Sequence, residues 1–529
     1  MGNQTIIEVR HWPWESWLFG PPCPTRSQTQ LNYLKSSPLL NTAIENVRLL
    51  VQEYLQLWLA KNVSIGVTVS VVYDQQVLLS QGFGTLNLST TVAPDENTIY
   101  DIGSITKIFT SLALFHTADK GDVSLDAPVT DFYNESNPPA FNIHNPYSSE
   151  GASVVTLRSL AAQCSGLPRE TYCGGYPLLL ECFDETLAGY ANIEALNQVG
   201  LLYPPFTGAH YSNLGLSLLG RCLERVWNEK YEDYMVSNIF MPLGMNSTGF
   251  YFTEEVKSQM ITGYYITVEP SGNYTATPTI YNTVQTRWAA PSAGAYTSTA
   301  DLIKFFQFIF ANNDTSVISK TALDEFLALG YILPDGISAF GAGTWEMFHA
   351  NGYDTLTKGG LSQAMAGAIS IVPELKLGIS VLMNVNSGID ADGINAQANQ
   401  IMVKTLDILL KGDQEPYPLP SNYQQFLGNY GPTSSPYLTV QDQSTGNGVL
   451  HGYVIGLGNV YFVWDPVQDY NNTTAFRYSK IQGEGTYNSC MALYSTGNNA
   501  IVYFSVVSST VTATLADQNA NFYDMPQNP

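Results

Sequence analysis

The chain has 529 residues, more than one typical domain, and 45% of them are apolar, enough to build a sizeable core. Charged residues make up only 13%, and 45 acidic against 22 basic side chains leave a formal charge of −23. That balance excludes binding of nucleic acid through a basic surface and disfavours anionic membrane surfaces.

Residues 1–37 read as irregular, with a Pro-Pro-Cys-Pro run at 21–24. Apolar residues recur at helical spacing from Leu40 to Leu59, which predicts a first long helix. Two strands follow, Ser64–Tyr73 and Gln76–Leu86, joined by a turn at Asp74-Gln75. Ile105–Ala118 returns to a helical pattern that Lys120-Gly121 ends. From about 122 to 310 the chain reads as helical pieces on long loops: a short helix capped by Thr156 and ending near Ser165-Gly166, then Leu214–Trp227, Tyr231–Phe240 and Asp301–Phe310, the last capped by Ser298 or Thr299. Three strands are predicted next, Phe340–Phe348, Ala364–Val372 and Leu377–Val385, and then a helix over Gly393–Leu410. The apolar run at 365–385 is broken by Pro373, Glu374 and Lys376, short of the roughly 18 residues a membrane span needs.

This order predicts an α+β fold over 38–412: one antiparallel sheet, the first and last helices on one face, and an all-helical lobe inserted at about 122–310. Residues 413–422 read as a linker, because prolines at 416, 418 and 420 cannot continue a helix. Short β-like runs separated by turn residues predict a small all-β domain over 423–529.

Ser104-Ile-Thr-Lys107 is the first motif with chemistry in it. At spacing i and i+3 the hydroxyl and the amine share one helix face, near the free N–H groups of the helix start. A buried, neutral lysine there is able to take the serine proton. The plainer alternative is a helix-capping serine with a solvated lysine, and thirteen lysines in a serine-rich chain yield roughly one such pair by chance.

No metal or cofactor is expected. The histidines at 11, 116, 144, 210, 349 and 451 are scattered, no Cys-x-x-Cys or His-x-x-x-His spacing occurs, and Gly341-x-Gly343 lacks the rest of a nucleotide fingerprint. His116 reads as a packed or surface residue, and His210 as either lining the cleft or structural. Nine Asn-x-Ser/Thr sequons, at Asn3, Asn62, Asn87, Asn134, Asn246, Asn273, Asn313, Asn471 and Asn472, and six cysteines suggest a secreted, glycosylated, disulfide-bearing protein. Met1–Gly20 itself carries Glu8, Arg10 and Glu15 and does not read as a signal peptide. Six cysteines allow 15 pairings, of which Cys173–Cys182 is the one expected, since it closes a short loop.

The surroundings of the motif are more telling. They include Tyr100-Asp-Ile-Gly-Ser-Ile-Thr-Lys107, then Val155-Thr-Leu-Arg-Ser-Leu-Ala-Ala-Gln-Cys-Ser-Gly-Leu-Pro168. Pro204-Pro-Phe-Thr-Gly-Ala-His-Tyr-Ser-Asn-Leu-Gly-Leu-Ser-Leu-Leu-Gly-Arg221, Phe240-Met-Pro-Leu-Gly-Met245 and Ala293-Gly-Ala-Tyr-Thr-Ser-Thr-Ala-Asp-Leu302 follow. Over about 38–412 these segments resemble the serine β-lactamase and penicillin-binding-protein superfamily, in its class C β-lactamase-like and esterase branch. The added β domain is similar to that of some secreted fungal members.

The resemblance implies a serine hydrolase working through an acyl-enzyme, with Ser104 acylated and Lys107 shuttling its proton. Tyr211-Ser-Asn213 matches the family's Tyr-x-Asn motif, so Tyr211 is implied as the general base and Asn213 as a contact to the substrate amide or to Lys107. A phenol ionises near pH 10, so cationic neighbours are needed. Tyr190-Ala-Asn192 has the same pattern without the flanking segments. Lys358-Gly359-Gly360 matches the third motif, with Lys358 as a fixed cation and the N–H of Leu361 forming an oxyanion hole with that of Ser104; His349 and His451 are misplaced for that role. Gly359 stands where penicillin-recognising members have a threonine that binds the substrate carboxylate. This favours a small neutral ester or amide over a true β-lactam. An acyltransferase acting on a small natural product and a non-catalytic binding protein are the alternatives. The expected protein is a monomer with an electropositive cleft in an acidic surface.

Overall fold

The computed structural model describes residues 37–412 apart from 137–139, 147–153, 171–192, 195, 198–199, 272, 280–287, 312–313, 334–337, 351–352 and 363. Beyond 412 it describes 422–430, 438–441, 449–454, 458–464, 473–480, 500–507, 510–516 and 522–526. The chain divides into two compact units, one spanning Ser37–Leu406 and one containing Asp407–Pro529.

In the first unit, helix α1 (Pro38–Leu59) starts on a proline, whose missing N–H costs nothing in a first turn. It buries Leu40, Ala43, Ile44, Val47, Leu50 and Val51, a stripe at helical spacing. Strands β1 (Gly66–Tyr73) and β2 (Gln76–Gly84) form the expected hairpin, with Asp74 in the left-handed conformation at its turn. All eight residues of β1 are buried, as a strand covered on both faces requires.

A short strand β3 (Tyr100–Asp101) and a tight 3-10 turn, Gly103–Ile105, lead into α2 (Thr106–Asp119). Helix α2 buries every residue from Thr106 to Thr117 and runs through the core. In the lobe, α3 (Leu157–Ala161) carries the expected Thr156 cap, which accepts from the N–H of Ser159, but ends before Ser165-Gly166. Helix α4 (Asn213–Trp227) is capped by Ser212. The predicted Tyr231–Phe240 helix is an α turn, Tyr231–Met235, that widens into a π turn over Val236–Phe240.

The lobe is not purely helical. Strands β4 (Tyr264–Val268) and β5 (Tyr274–Pro278) form a hairpin, and β6 (Tyr296–Thr297) pairs with β3. The run Tyr264-Tyr-Ile-Thr-Val268 is rich in β-branched and aromatic residues, which favours extended backbone over helix. Helix α5 (Thr299–Phe310) follows, capped by Ser298 rather than Thr299.

The return to strands gives β7 (Leu329–Ile332), β8 (Ser338–Gly341), β9 (Glu346–Ala350), β10 (Tyr353–Leu361), β11 (Ala366–Val372) and β12 (Leu377–Met383). The sheet order is β2-β1-β12-β11-β10-β9-β8-β7, antiparallel throughout. Five strands were expected and eight are present. The predicted strand Phe340–Phe348 is a hairpin, because Thr344 turns left-handed and the N–H of Gly341 bonds the carbonyl of Trp345 at 2.7 Å. Helix α6 (Gly388–Gly412) begins five residues earlier than predicted. Asn395 of α6 bonds the carbonyls of Ala368 and Ile379, which lays the helix on β11 and β12. Trp58 of α1 donates to Asp390 of α6 at 2.8 Å, so the first and last helices share a face.

Described by itself, the second unit holds an eight-stranded antiparallel sheet whose order follows the chain, from β13 (Gly428–Tyr430) to β20 (Phe522–Pro526). No helix among the described residues is long and apolar enough to cross a membrane.

Candidate active site

Ser104 is the middle residue of the tight turn before α2. The turn is anchored by Ile102, whose N–H bonds the carbonyl of Ala295 at 3.1 Å, and by Asp101, whose Oδ1 accepts from the N–H of Gly103 at 3.1 Å. Burial raises the Asp101 carboxyl to about 6, against the opposing pull of its bonds to Gly103 and Ser362. Two glycines let this turn lie against β10. Gly103 has φ +47°, and a Cβ on it falls 2.5 Å from the carbonyl oxygen of Leu361. A Cβ on Gly360 falls 2.0 Å from the carbonyl oxygen of Ile102. The backbones carrying the N–H groups of Ser104 and Leu361 are therefore in direct contact at a seam that no side chain can enter.

Lys107 sits one turn after Ser104 and is fully buried. Its Nζ lies 2.9 Å from Ser104 Oγ and donates to the carbonyl of Ser292 at 2.7 Å. Burial first, then the positive charge of Lys358 and to a lesser degree that of Arg169, hold its pKa well below the usual lysine value, with Glu170 and Glu346 pulling the other way.

Tyr211 comes from the loop before α4, and its hydroxyl lies 2.6 Å from Ser104 Oγ. The loop is gripped on both sides of the tyrosine by Gln163. The backbone carbonyl of Gln163 accepts from the N–H of His210 at 2.7 Å, and its side-chain oxygen accepts from the N–H of Ser212 at 2.6 Å. Gln163 holds φ +57°, rare for a residue other than glycine. Three basic side chains surround the Tyr211 ring: Lys107 at 4.9 Å, Lys358 at 5.0 Å and Arg169 at 4.8 Å from its centroid.

Lys358 projects from β10, which the sequence did not reveal as a strand. Pairing of β10 with β9 stops at Thr357↔Glu346, while pairing with β11 continues to Leu361↔Ala366. Lys358, Gly359, Gly360 and Leu361 thus form an edge open on one side. Lys358 Nζ donates to Glu346 Oε1 at 2.7 Å and to the carbonyl of Gly359 at 3.0 Å. Burial disfavours its charge, but Glu346, with help from Tyr211 and Asp392, more than offsets this, and its pKa stands above the usual lysine value.

Asn213, the first residue of α4, donates its Nδ2 to Glu170 Oε1, so one amide N–H is already engaged; its Oδ1 is buried and has no hydrogen-bond partner among the described residues. Burial raises the pKa of Glu170, while the bond from Asn213 and the charges of Arg169 and Lys107 pull it down.

The structure therefore brings Ser104, Lys107, Tyr211, Lys358 and Asn213 into one site, with Gly359, Gly360 and Leu361 along its edge. It also adds residues that motif reading missed: Gln163, Arg169, Glu170, Ser292, Glu346 and Asp392. Of these, Gln163 lies inside the Val155–Pro168 segment, and Arg169 and Glu170 directly follow it. The expected electropositive cleft is corrected. Arg169 lies 3.6 Å from Glu170 and Lys358 is bonded to Glu346, so the charges are nearly balanced.

His116 is buried with Nδ1 on the carbonyl of Val317, and the His210 ring lies 5.9 Å from that of Tyr203. Cys164 and Cys222 are buried and unpaired. Tyr190-Ala-Asn192 and the expected Cys173–Cys182 pair lie outside the described residues.

A family model described as Beta-lactamase matches residues 47–402. Among curated proteins, beta-lactamase-like protein 2 of Dictyostelium discoideum is 30% identical over 350 residues, 64% of this chain and 60% of the relative. The putative beta-lactamase-like 1 protein of Homo sapiens is 30% identical over 393 residues, 72% of each. The chain thus spans less than two thirds of the Dictyostelium relative. Among solved structures, the octameric penicillin-binding protein homologue of Pyrococcus abyssi superposes with a TM-score of 0.55 at 22% identity, covering 91% of this chain and 100% of that one. The beta-lactamase/D-alanine carboxypeptidase of Yersinia pestis superposes with a TM-score of 0.53 at 23% identity, covering 67% and 98%. At these identities the structural likeness speaks for the fold.

Proposed function

The chain belongs to the beta-lactamase family, and from that premise we propose that it is a serine hydrolase that cleaves a small ester or amide through an acyl-enzyme on Ser104. The observation that carries this reading is the position of Ser104 Oγ, 2.9 Å from Lys107 Nζ and 2.6 Å from the Tyr211 hydroxyl.

The two lysines divide the work. Lys107, held neutral, takes the Ser104 proton as Oγ attacks the carbonyl carbon and forms the new C–O bond. The negative charge passes to the carbonyl oxygen, which the N–H groups of Ser104 and Leu361 receive; losing one such donor typically costs about 3–4 kcal/mol. The bond to the leaving group then breaks, and Tyr211 delivers the proton to the departing oxygen or nitrogen, recovering one from Lys107. Lys358 stays positive beside the phenol and stabilises any negative charge on it. In the second half, one water proton passes through the Tyr211 hydroxyl to Lys107 as the water oxygen bonds the acyl carbon; the bond from that carbon to Ser104 Oγ then breaks, and Lys107 returns the proton to Ser104. All of these groups come from one chain, which suits a monomer. Asn62, Asn246 and Asn273 are exposed, which suits a glycosylated, secreted protein.

A fluorophosphonate probe with peptide mass spectrometry tests the reading. Labelling should fall on Ser104 and vanish in Ser104→Ala. Absent labelling, or labelling undiminished in the variant, removes it. Product analysis with competing alcohols then separates hydrolysis from acyl transfer.

A further inference from the structure

Gly359 has no side chain, and the carboxylate of Asp392 takes the space that one would need. A Cβ built there meets Asp392 Oδ1 at 2.9 Å and Oδ2 at 3.3 Å, so the carboxylate of Asp392 stands over the open edge of β10. Asp392 comes from the first turns of α6 and is exposed. Among the described residues it has no hydrogen-bond or ion-pair partner. Glu346, a second carboxylate with 39% of its side chain exposed, lies on the neighbouring strand. Among the described residues, the cation at this end of the site is Lys358, and its ammonium is already bonded to Glu346. One positive charge thus faces two negative ones.

We propose that Asp392 sets the charge preference of the site: it rejects substrates with a carboxylate on the Gly359 side and favours those with a cationic group there. The inference rests on the hydrolase reading for treating the bound group as part of a substrate. Its physical basis is the field of one uncompensated carboxylate at a partly desolvated rim, where an added anion is repelled and a cation attracted. Asp392 is exposed, but neighbouring atoms partly desolvate its carboxylate, and this together with the repulsion of Glu346 raises its pKa, with Lys358 opposing them only in part. The two acids therefore feel each other, and a third anion at the same place is disfavoured further.

Calorimetry on the full chain carrying Ser104→Ala tests this without any reaction, using phenyltrimethylammonium and benzoate as probes. The cation should bind more tightly than the anion, and adding Asp392→Asn should shrink the ratio of affinities about tenfold. Asp392→Lys should reverse the preference. Equal binding of the two probes, or a ratio unmoved by both substitutions, overturns the proposal. In parallel, cationic and anionic 4-nitrophenyl esters of matched size are compared on the parent and on Asp392→Asn. A shift in the binding ratio with no turnover of either ester sinks the hydrolase reading and leaves the charge preference standing. Turnover of both esters with an unchanged ratio of kcat/KM sinks the charge preference and leaves the hydrolase reading standing.

Discussion

The start of α2 and the edge of β10 each deliver a lysine to the same tyrosine, at 4.9 and 5.0 Å from its ring, and treat it in opposite ways. Lys107 and Lys358 are equally out of water, with 0% and 2% of their surfaces exposed. Lys107 finds only neutral acceptors, Ser104 Oγ and the carbonyl of Ser292, and its pKa falls. Lys358 finds Glu346, and its pKa rises. Burial alone does not decide the charge of a lysine; the neighbouring carboxylate does. Environments that push two like groups apart are the pattern expected of a base and a fixed cation sharing one site.

The largest effect that tests this contrast is removal of the base. Lys107→Met should lower kcat/KM on a 4-nitrophenyl ester about a thousandfold. The parent should lose activity as pH falls through the lowered Lys107 pKa, because the amine then binds a proton and no longer accepts one. The variant should lack that acidic limb. A variant that keeps the limb places the titrating base elsewhere. The next largest effect comes from the seam between the two regions. Gly360→Ala puts a methyl group 2.0 Å from the carbonyl oxygen of Ile102, so the turn and the strand must separate. A shift of about 1 Å in the oxyanion site should cost about a hundredfold in kcat. If activity survives, the N–H groups of Ser104 and Leu361 do not act together.

Glu346→Gln addresses the second lysine and should cost about tenfold. With that carboxylate gone, burial is offset only by Tyr211 and Asp392, and the Lys358 pKa drops. Lys358 is charged below its pKa and neutral above it, so a lower pKa brings the loss of charge to lower pH. The alkaline limb of the pH–rate profile should therefore move down relative to the parent. An unmoved limb assigns that limb to another group.

The two eight-stranded sheets show what a sequence can and cannot reveal. In the second unit every strand pairs with its chain neighbour, so runs of β-formers separated by turn residues were enough to read it as all-β. In the first unit β1 pairs with β12, Val67 facing Met383, and no local pattern announces that closure. Strand β10 was missed because Lys358-Gly-Gly360 has poor strand propensity and is extended only through its pairing with Ala366–Val372. Ser104 and Lys107 were legible because helical spacing puts them on one face. Tyr211 was legible only through the family resemblance of its surroundings. Glu346 and Asp392 carried no signal, since they become neighbours of Lys358 and Gly359 through the sheet and α6.

The smallest effect expected falls on Gln163, which touches none of the reacting atoms. It grips the backbone on either side of Tyr211, so it is a positioning residue for that hydroxyl. Gln163→Asn suits the test, because asparagine tolerates the left-handed conformation while its shorter side chain cannot reach the N–H of Ser212. The backbone bond to His210 survives, which limits the damage to a few-fold loss in kcat with KM changed less. The loss should be confined to the step in which Tyr211 hands over a proton, so esters with poor leaving groups should suffer more than 4-nitrophenyl esters. A uniform loss across leaving groups, accompanied by a lower melting temperature, indicates that Gln163 serves only the fold, and the grip on Tyr211 then has no catalytic consequence.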